Sequence, residues 1–160
     1  MSEELCRRRA REALQEQGIT EPPVRAEAVA RGHGLVIDYV SRGRGFSGRL
    51  LRERRVIEVE QSTHPHRQRF TVAHELGHYI LGHSPVSCVF DDRDISDPRR
   101  INEFQANVFA SELLMPETWI RERWRELGDM KAMAAEFDVS PEAMFRRLDS
   151  AGLLNLERPL

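Results

Sequence analysis

One stretch, from Arg69 to Leu81, constrains this chain more than any other part of its sequence. It reads RFTVAHELGHYIL and contains the pattern H-E-x-x-H. Its apolar residues recur at the spacing typical of a helix in a protein core. Because residues four apart lie about one turn apart on a helix, His74 and His78 share one face. Polar groups on a buried helix need partners, and a metal ion bound by both histidines is one such partner.

His74 and His78 are therefore predicted to bind one Zn²⁺ ion, each through a ring nitrogen at roughly 2.0–2.1 Å. Glu75 follows the first histidine, and its carboxylate is predicted to act as the catalytic general base that takes a proton from water at the metal. The pattern is short. The alternative is a surface helix whose histidines have no shared role.

A third ligand is needed, because two histidines and a water leave tetrahedral zinc one ligand short. Residues 102–115 are predicted to form a second, mostly apolar helix that ends at Pro116. On it, Glu103 is the predicted third metal ligand, and Asn107 on the same face can hold a histidine ring through its free N–H. Glu112 is the rival carboxylate. It lies about 180° around the helix from Glu103, so both cannot face one metal ion.

His83 follows the motif, but its position does not fit the long-spaced metalloprotease pattern. That pattern requires glycine and histidine where this chain has Leu81 and Ser84. If the helix continued, His83 would point about 140° away from His78. We interpret His83 as a helix-end residue, with a ligand or proton-transfer role as the alternative.

Bulk composition indicates a cytoplasmic globular protein. The 160 residues are 40% hydrophobic and 31% charged, with a net charge of -2, and favour one domain with a real core. This balance gives no reason to expect membrane or nucleic-acid binding. The first residues lack the features of a signal peptide. Cys6 and Cys88 form no paired motif, so we expect reduced thiols.

The order of the segments predicts an α+β fold. Two helices come first, one over residues 3–17 and one opening at Glu21-Pro22-Pro23. Strands are predicted at 35–40, 49–51 and 56–60, which gives a small antiparallel or mixed sheet of about three strands packed on the zinc-site helices. Alternation in the last strand predicts that its glutamates, Glu58 and Glu60, face solvent. An edge of this sheet could pair with an extended peptide.

Three short helices are predicted after Pro116. Asp129 and Ser140 are the expected N-caps of the second and third, and residues 131–137 and 141–148 resemble a helix-turn-helix. From Pro116 onward there are seven basic and nine acidic residues, so we do not expect direct DNA binding by this part but a packing or protein-docking role. We expect residues 1–115 to form a zinc metallopeptidase core and residues 116–160 a helical subdomain packed with it.

Polar residues around the motif offer further candidates. His64, His66, Arg67 and Tyr79 could stabilise an oxyanion, although a solvated loop is the simpler interpretation of the first three. Residues 84–100 are rich in aspartate and read as an exposed loop near the cleft that could act as a lid. Cys88 falls within that loop and is interpreted as an ordinary thiol.

Together, the block from Arg69 to His78 and the block E-x-x-A-N-x-F-A-x-x-L-L-M-P, which starts at Glu103, resemble the ImmA/IrrE family of metallopeptidases. The resemblance continues weakly into residues 139–148. It implies a gluzincin-like endopeptidase with His74, His78 and Glu103 as zinc ligands and Glu75 as the catalytic carboxylate, with Mn²⁺ as a possible ion in the cell. Family members cleave helix-turn-helix repressors and so derepress stress-response or mobile-element genes. Larger relatives also carry a sensory domain.

Two other classes of function remain open at this point. The chain could be a metal-stabilised module that sequesters a repressor, or acts in a toxin–antitoxin pair, without cleaving anything. The presence of Glu75 argues against this, since a structural metal site needs no base. The chain could also be a DNA-binding regulator. The oligomeric state and the substrate do not follow from the sequence.

Overall fold

A three-stranded sheet and the helices around it form the part of the chain that this computed structural model describes, residues 1–84 and 97–154. The α+β fold class is confirmed. In chain order the elements are α1 Glu3–Glu16, α2 Ala26–Gly32, β1 Val36–Val40, β2 Gly48–Leu51, β3 Val56–Glu60, α3 Pro65–Ile80, α4 Pro98–Leu114, α5 Glu117–Leu127, α6 Met130–Phe137 and α7 Pro141–Ser150. The predicted lid, apart from its two ends, and Cys88 lie outside the described residues.

The sheet is mixed, with strand order β1-β3-β2. β1 runs parallel to β3, and β2 runs antiparallel to it. Ile57 in the central strand lies opposite Ile37 on one side and Leu50 on the other. Ile57 and Val59 are fully buried, so the central strand belongs to the core. β2 is left at an edge of the sheet, and α3 packs against it.

The prediction that the glutamates of β3 face solvent is wrong. Glu58 is 6% exposed and Glu60 is 1% exposed. Glu58 accepts hydrogen bonds from the guanidinium groups of Arg42 (2.8 Å) and Arg49 (2.6 Å). Glu60 accepts from backbone N–H groups, including that of Arg42 at 2.7 Å, and from the Ser62 hydroxyl at 2.8 Å. Buried carboxylates are tolerated when they are paired in this way, which residue alternation cannot reveal.

The N-terminal helices follow the capping residues of the sequence. α1 begins after Ser2, whose hydroxyl accepts from Leu5 N–H, and the chain leaves the helix through Gly18 at φ 65°. α2 begins at Ala26, later than predicted. The physical reason lies in Pro22 and Pro23, because a residue that precedes a proline is disfavoured in the helical region.

The three C-terminal helices form where they were predicted. Asp129 accepts a hydrogen bond from Ala132 N–H at 2.7 Å, and Ser140 accepts from Ala143 N–H at 3.1 Å, so both predicted N-caps are confirmed. Asp138 has φ 51° and turns the chain between α6 and α7. The division into two subdomains at residue 115 stays a prediction.

A glycine permits close packing between α3 and α4. A Cβ atom at Gly77 would lie 3.0 Å from Phe109 Cδ1 and 3.3 Å from the Ala106 backbone, so the Phe109 ring or α4 would have to give by a few tenths of an ångström to admit it. The two helices therefore approach closely beside His78. None of the helices in residues 1–84 and 97–154 combines the length and the hydropathy needed to cross a bilayer.

Candidate metal centre

Three side chains from α3 and α4 converge at one point. His74 Nε2 lies 3.0 Å from His78 Nε2 and 3.0 Å from Glu103 Oε2. His78 Nε2 lies 3.2 Å from Glu103 Oε1. These are the three residues predicted as metal ligands, and the structure brings them together as a group able to hold a metal ion.

The two helices explain this convergence. His74 and His78 are four residues apart within α3, so their rings are neighbours on one face of the helix, packed edge to face with ring centroids 4.7 Å apart. Glu103 lies in the first half of α4, and its side chain is 52% exposed. The close approach at Gly77 holds α4 near enough for a carboxylate to reach both rings.

Asn107 fixes the orientation of the first histidine ring. Its Oδ1 atom lies 2.9 Å from His74 Nδ1. An amide oxygen can only accept, so His74 carries its proton on Nδ1 and presents the lone pair of Nε2 to the cluster. The prediction that Asn107 holds a histidine ring is confirmed. Such outer partners are the usual support of metal-binding histidines.

The donor atoms fit a divalent metal ion. Two Nε2 lone pairs and a carboxylate facing one another are mutually repulsive unless a proton or a cation lies between them. Two ligands at roughly 2.0–2.1 Å from a tetrahedral ion lie about 3.3–3.4 Å apart, close to the separations of 3.0 and 3.2 Å found here. Two imidazoles and one carboxylate are also the ligand set of open, catalytic zinc sites.

Glu112, the rival ligand considered from the sequence, lies elsewhere. It is fully buried and pairs with the buried guanidinium of Arg147 on α7. Arg11 on α1 donates to it at 3.1 Å, and the backbone N–H of Glu117 donates at 3.3 Å. Glu112 therefore links α4 to three other helices, α1, α5 and α7, and is not a member of the cluster.

His83 lies beside the cluster, and the expected direction of its side chain is wrong. α3 ends at Ile80, and Gly82 adopts φ 71°, which turns the chain back. The backbone N–H of His83 then bonds to His78 O at 3.1 Å, and the two Nδ1 atoms lie 2.9 Å apart. The expected angle of about 140° between the directions of His83 and His78 assumed that the helix continues through residue 83, which it does not. Gly82 was the available signal, since glycine commonly reverses the chain after a helix.

The protein groups shift one another's pKa values. Burial works against charging His74, yet the hydrogen bond that its protonated ring donates to Glu103, together with the nearby carboxylates, raises its pKa overall. When they are protonated, the His74 and His78 rings donate hydrogen bonds to Glu103, and these hold the pKa of its carboxyl far below its usual range, despite partial burial. Burial lowers the pKa of His83 and outweighs its bond to Gln105. Glu103 is accordingly an anion at neutral pH and a candidate ligand for a cation.

Glu75 has the environment of a proton acceptor that can also return its proton. Burial raises the pKa of its carboxyl, and the charges of His74 and His78 and the backbone amide of Leu50 oppose that rise. Efficient acid–base groups have pKa values nearer to the working pH than an exposed glutamate has. Glu75 also lines the cleft, next to His74 and Glu103.

The cleft has a volume of about 1130 Å³ and extends from the cluster toward α7. Its walls come from α3, α4, α7 and the loop before β2; the lining includes Gly45, Phe46, Ser47, Phe70, Phe104, Val108, Ala143 and Arg146. It therefore presents both apolar and charged surface next to the candidate metal ligands.

The other polar candidates have partners of their own. His64 caps α3 by accepting from His66 N–H at 3.1 Å, and His66 Nε2 pairs with Asp138 Oδ1 at 3.0 Å. Arg67 donates to the Ser47 hydroxyl at 2.9 Å. His64, His66 and Arg67 line the cleft. Tyr79 lies under the guanidinium of Arg52, 5.2 Å from ring centroid to Cζ. Their role in oxyanion stabilisation stays a prediction.

An α+β fold in which an H-E-x-x-H helix and a carboxylate from a second helix could hold a metal ion defines the class of candidate metallopeptidases. A family model described as the IrrE N-terminal-like domain matches residues 33–149. The chain belongs to this family, as the ImmA/IrrE resemblance implied.

Two curated relatives carry the description Radiation response metalloprotease IrrE. The chain is 36% identical over 86 residues to the one from Deinococcus radiodurans, covering 52% of this chain and 26% of the relative. It is 30% identical over 105 residues to the one from Deinococcus deserti, covering 64% of this chain and 37% of the relative. The chain thus matches about a quarter of the first relative and a little more than a third of the second.

A solved structure described as a Mycobacterium tuberculosis transcriptional regulator shares the fold. It superposes with a TM-score of 0.69 over 96% of this chain and 47% of its own, at 18% sequence identity. At that identity the likeness concerns the fold alone.

Proposed function

We propose that this chain is a zinc-dependent endopeptidase that cleaves a helix-turn-helix transcriptional repressor and so derepresses stress-response or mobile-element genes. The observation that carries the proposal is the convergence of His74 Nε2, His78 Nε2 and the Glu103 carboxylate beside Glu75. Membership of a family with curated metalloproteases supports the peptidase activity. The words "radiation response" in the relatives' names support a role in stress.

His74, His78 and Glu103 would hold the ion, which we propose is Zn²⁺, with Mn²⁺ as an alternative in the cell. When bound, the ion supplies the Lewis acidity that acidifies water and polarises a peptide carbonyl. Asn107 keeps the His74 ring oriented for that role through its 2.9 Å contact with Nδ1.

Glu75 carries out the proton transfers. Its carboxylate accepts a proton from the attacking water and then donates it to the amine nitrogen as the peptide C–N bond breaks. The water oxygen remains on the new carboxyl group. The partial burial that raises the pKa of Glu75 favours this return of the proton.

The cleft supplies the surface on which a repressor segment would lie. Its 1130 Å³ volume and its open connection to the loop before β2 suit an extended peptide. β2 is an edge strand, so its backbone can pair with such a peptide. We propose that residues 1–115 form the peptidase core and that residues 116–160, which include α6 and α7, help to dock the repressor.

The test is incubation of the purified chain and Zn²⁺ with the helix-turn-helix repressor encoded nearest to its gene. We expect cleavage at one or a few sites. Glu75→Gln should lower the rate about 10²–10⁴-fold, because the proton acceptor is lost, while zinc binding persists. Glu53→Gln is the matched control, since Glu53 is an exposed glutamate outside the cleft lining, and it should leave cleavage unchanged.

Two outcomes would contradict the proposal. Tight binding of the repressor without cleavage would support sequestration. Salt-sensitive binding to duplex DNA that survives Glu75→Gln, without repressor cleavage, would support a DNA-binding regulator.

A further inference from the structure

A chain of hydrogen bonds leads from His78 away from the cluster. His78 Nδ1 lies 2.9 Å from His83 Nδ1, and His83 Nε2 lies 2.9 Å from Gln105 Oε1. Gln105 Nε2 donates to the backbone oxygen of Met1 at 2.8 Å. The contact between His83 and Gln105 is buried. The sequence favoured His83 as a helix-end residue, with a ligand or proton-transfer role as the alternative, and indicated no role for Gln105.

The far end of this chain sets the direction of every bond in it. The carbonyl of Met1 can only accept, so the amide nitrogen of Gln105 faces it and Oε1 faces His83. That oxygen accepts, so His83 carries a proton on Nε2. In a neutral imidazole the other nitrogen then has a lone pair, and His83 Nδ1 accepts from His78 Nδ1–H. His78 is left with a free lone pair on Nε2, the atom that faces Glu103.

The backbone holds His83 firmly in this position. Its N–H bonds to His78 O at 3.1 Å across the turn at Gly82. Arg52 donates to His78 O at 2.6 Å and to His83 O at 3.1 Å, so one guanidinium joins both ends of the turn. A cation at a helix C-terminus is also favoured by the helix dipole.

We propose that His83 and Gln105 are positioning residues of the metal centre, which fix the tautomer and the ring orientation of His78 so that Nε2 is presented to the ion. The inference rests on the proposed metal site of His74, His78 and Glu103. In this role His83 does for His78 what Asn107 does for His74. Outer partners of this kind are worth about 10–100-fold in metal affinity.

Zinc affinity of the full chain, measured by competition with a chromogenic chelator, tests the proposal. His83→Leu removes the acceptor and should weaken zinc binding about 10–100-fold. His83→Asn should restore much of the affinity, because Asn Oδ1 lies near the position of His Nδ1 and can accept from His78. His33→Leu is the matched control, since His33 packs near Glu16 on α1, and it should leave zinc affinity unchanged.

A spectroscopic measurement on the unmodified protein covers the case in which His83→Leu does not fold. Long-range ¹H–¹⁵N correlation spectra of the zinc-loaded chain identify which ring nitrogen carries hydrogen in each histidine. We expect His83 protonated on Nε2 alone and His78 protonated on Nδ1 with Nε2 bound to the ion.

The outcomes distinguish the inference from the proposed function. If the wild-type chain binds zinc and His83→Leu binds it within twofold, the positioning role is overturned and the metal site stands. A spectrum with His83 protonated on Nδ1, or on both nitrogens, would also overturn the role. Failure of the wild-type chain to bind any divalent ion would overturn the metal site and the inference together.

Discussion

Two glutamates of α4 have the same chemistry and different surroundings. The Glu103 side chain is half exposed, while Glu112 is fully buried against Arg147. Removal of one partner of a buried ion pair leaves the other charge without compensation and costs about 3–5 kcal/mol. An exposed pair contributes about 0–1 kcal/mol. The difference in burial therefore indicates that Glu112 stabilises the fold, whereas Glu103 is available as a candidate ligand.

We accordingly expect Glu112→Ala to lower the free energy of unfolding by about 3–5 kcal/mol in urea denaturation without added metal. Glu103→Ala, the matched variant on the same helix, should lower it by less than about 1 kcal/mol. Zinc binding should be lost in Glu103→Ala. It should be retained by whatever fraction of Glu112→Ala is folded. Equal destabilisation by both substitutions would contradict this assignment.

Residue type and spacing were sufficient to predict the candidate ligands, because His74 and His78 share a helix and Glu103 and Asn107 share a face of the next one. The same reasoning could not predict the roles of His83 or Glu60. His83 reaches His78 only because the chain reverses at Gly82, and Glu60 is paired by backbone amides of the loop before β2. The periodicity of a single helix or strand specifies neither contact.

At the scale of elements, the distance between α3 and α4 decides whether the three candidate ligands can meet. That distance depends on Gly77, whose missing Cβ allows contact with Phe109 and the Ala106 backbone. Alanine is favoured over glycine within a helix by about 0.8–1.0 kcal/mol. This gain in helix stability opposes the loss of packing stability that crowding would cause. Crowding should prevail here, since Phe109 is fully buried and the Ala106 atoms belong to the backbone.

Gly77→Ala should therefore weaken zinc binding, because α4 moves away from α3 and carries Glu103 with it. Isothermal titration of zinc into the wild-type and variant chains measures this directly. Circular dichroism should show that helix content is retained. Unchanged zinc affinity in a folded Gly77→Ala variant would show that the helix spacing has more freedom than the packing indicates.

Asp138 connects two other elements, since it lies in the turn between α6 and α7 and pairs with His66 and Arg69 on α3. Burial opposes its ionisation, but the hydrogen bond from His66 and the charge of Arg69 lower its pKa overall. A folded-state pKa below the unfolded value of about 3.9 stabilises the fold above that pH. This contribution is lost as the pH falls through the folded-state pKa.

Wild type should thus be more stable than Asp138→Asn near pH 5, and the difference should shrink toward about pH 3. Asparagine also tolerates positive φ, so the turn at φ 51° is preserved in the variant. Urea denaturation at the two pH values measures the difference. A gap that stayed constant, or that widened on acidification, would contradict the role given to the carboxylate.

Elements with local signals were predictable, and elements that depend on distant neighbours were less so. The caps Asp129 and Ser140 lie directly before α6 and α7, so the sequence indicates both helices. The parallel pairing of β1 with β3 joins strands that are not consecutive. No local pattern specifies which strands pair with each other or in which direction. The sequence therefore left both an antiparallel and a mixed sheet open.

For the whole molecule, a bound ion would link two helices and should stabilise the fold. A ligand that binds only the folded state adds about 2.7 kcal/mol at a concentration 100 times its Kd. Zinc should therefore raise the Tm of the wild-type chain. It should not lower the Tm of any folded variant. Glu103→Gln should show a much smaller rise, since it loses the anionic ligand. An equal rise in both would place the bound zinc elsewhere.

The most direct test of the metal centre is a crystal structure of the zinc-loaded chain with diffraction data collected on both sides of the zinc absorption edge. We expect one strong anomalous peak, about 2.0–2.2 Å from His74 Nε2, His78 Nε2 and a carboxylate oxygen of Glu103. The His83 ring should lie in contact with His78 and outside bonding distance of the ion. A peak bonded to His83 or Glu112, or no peak at the cluster, would contradict the account.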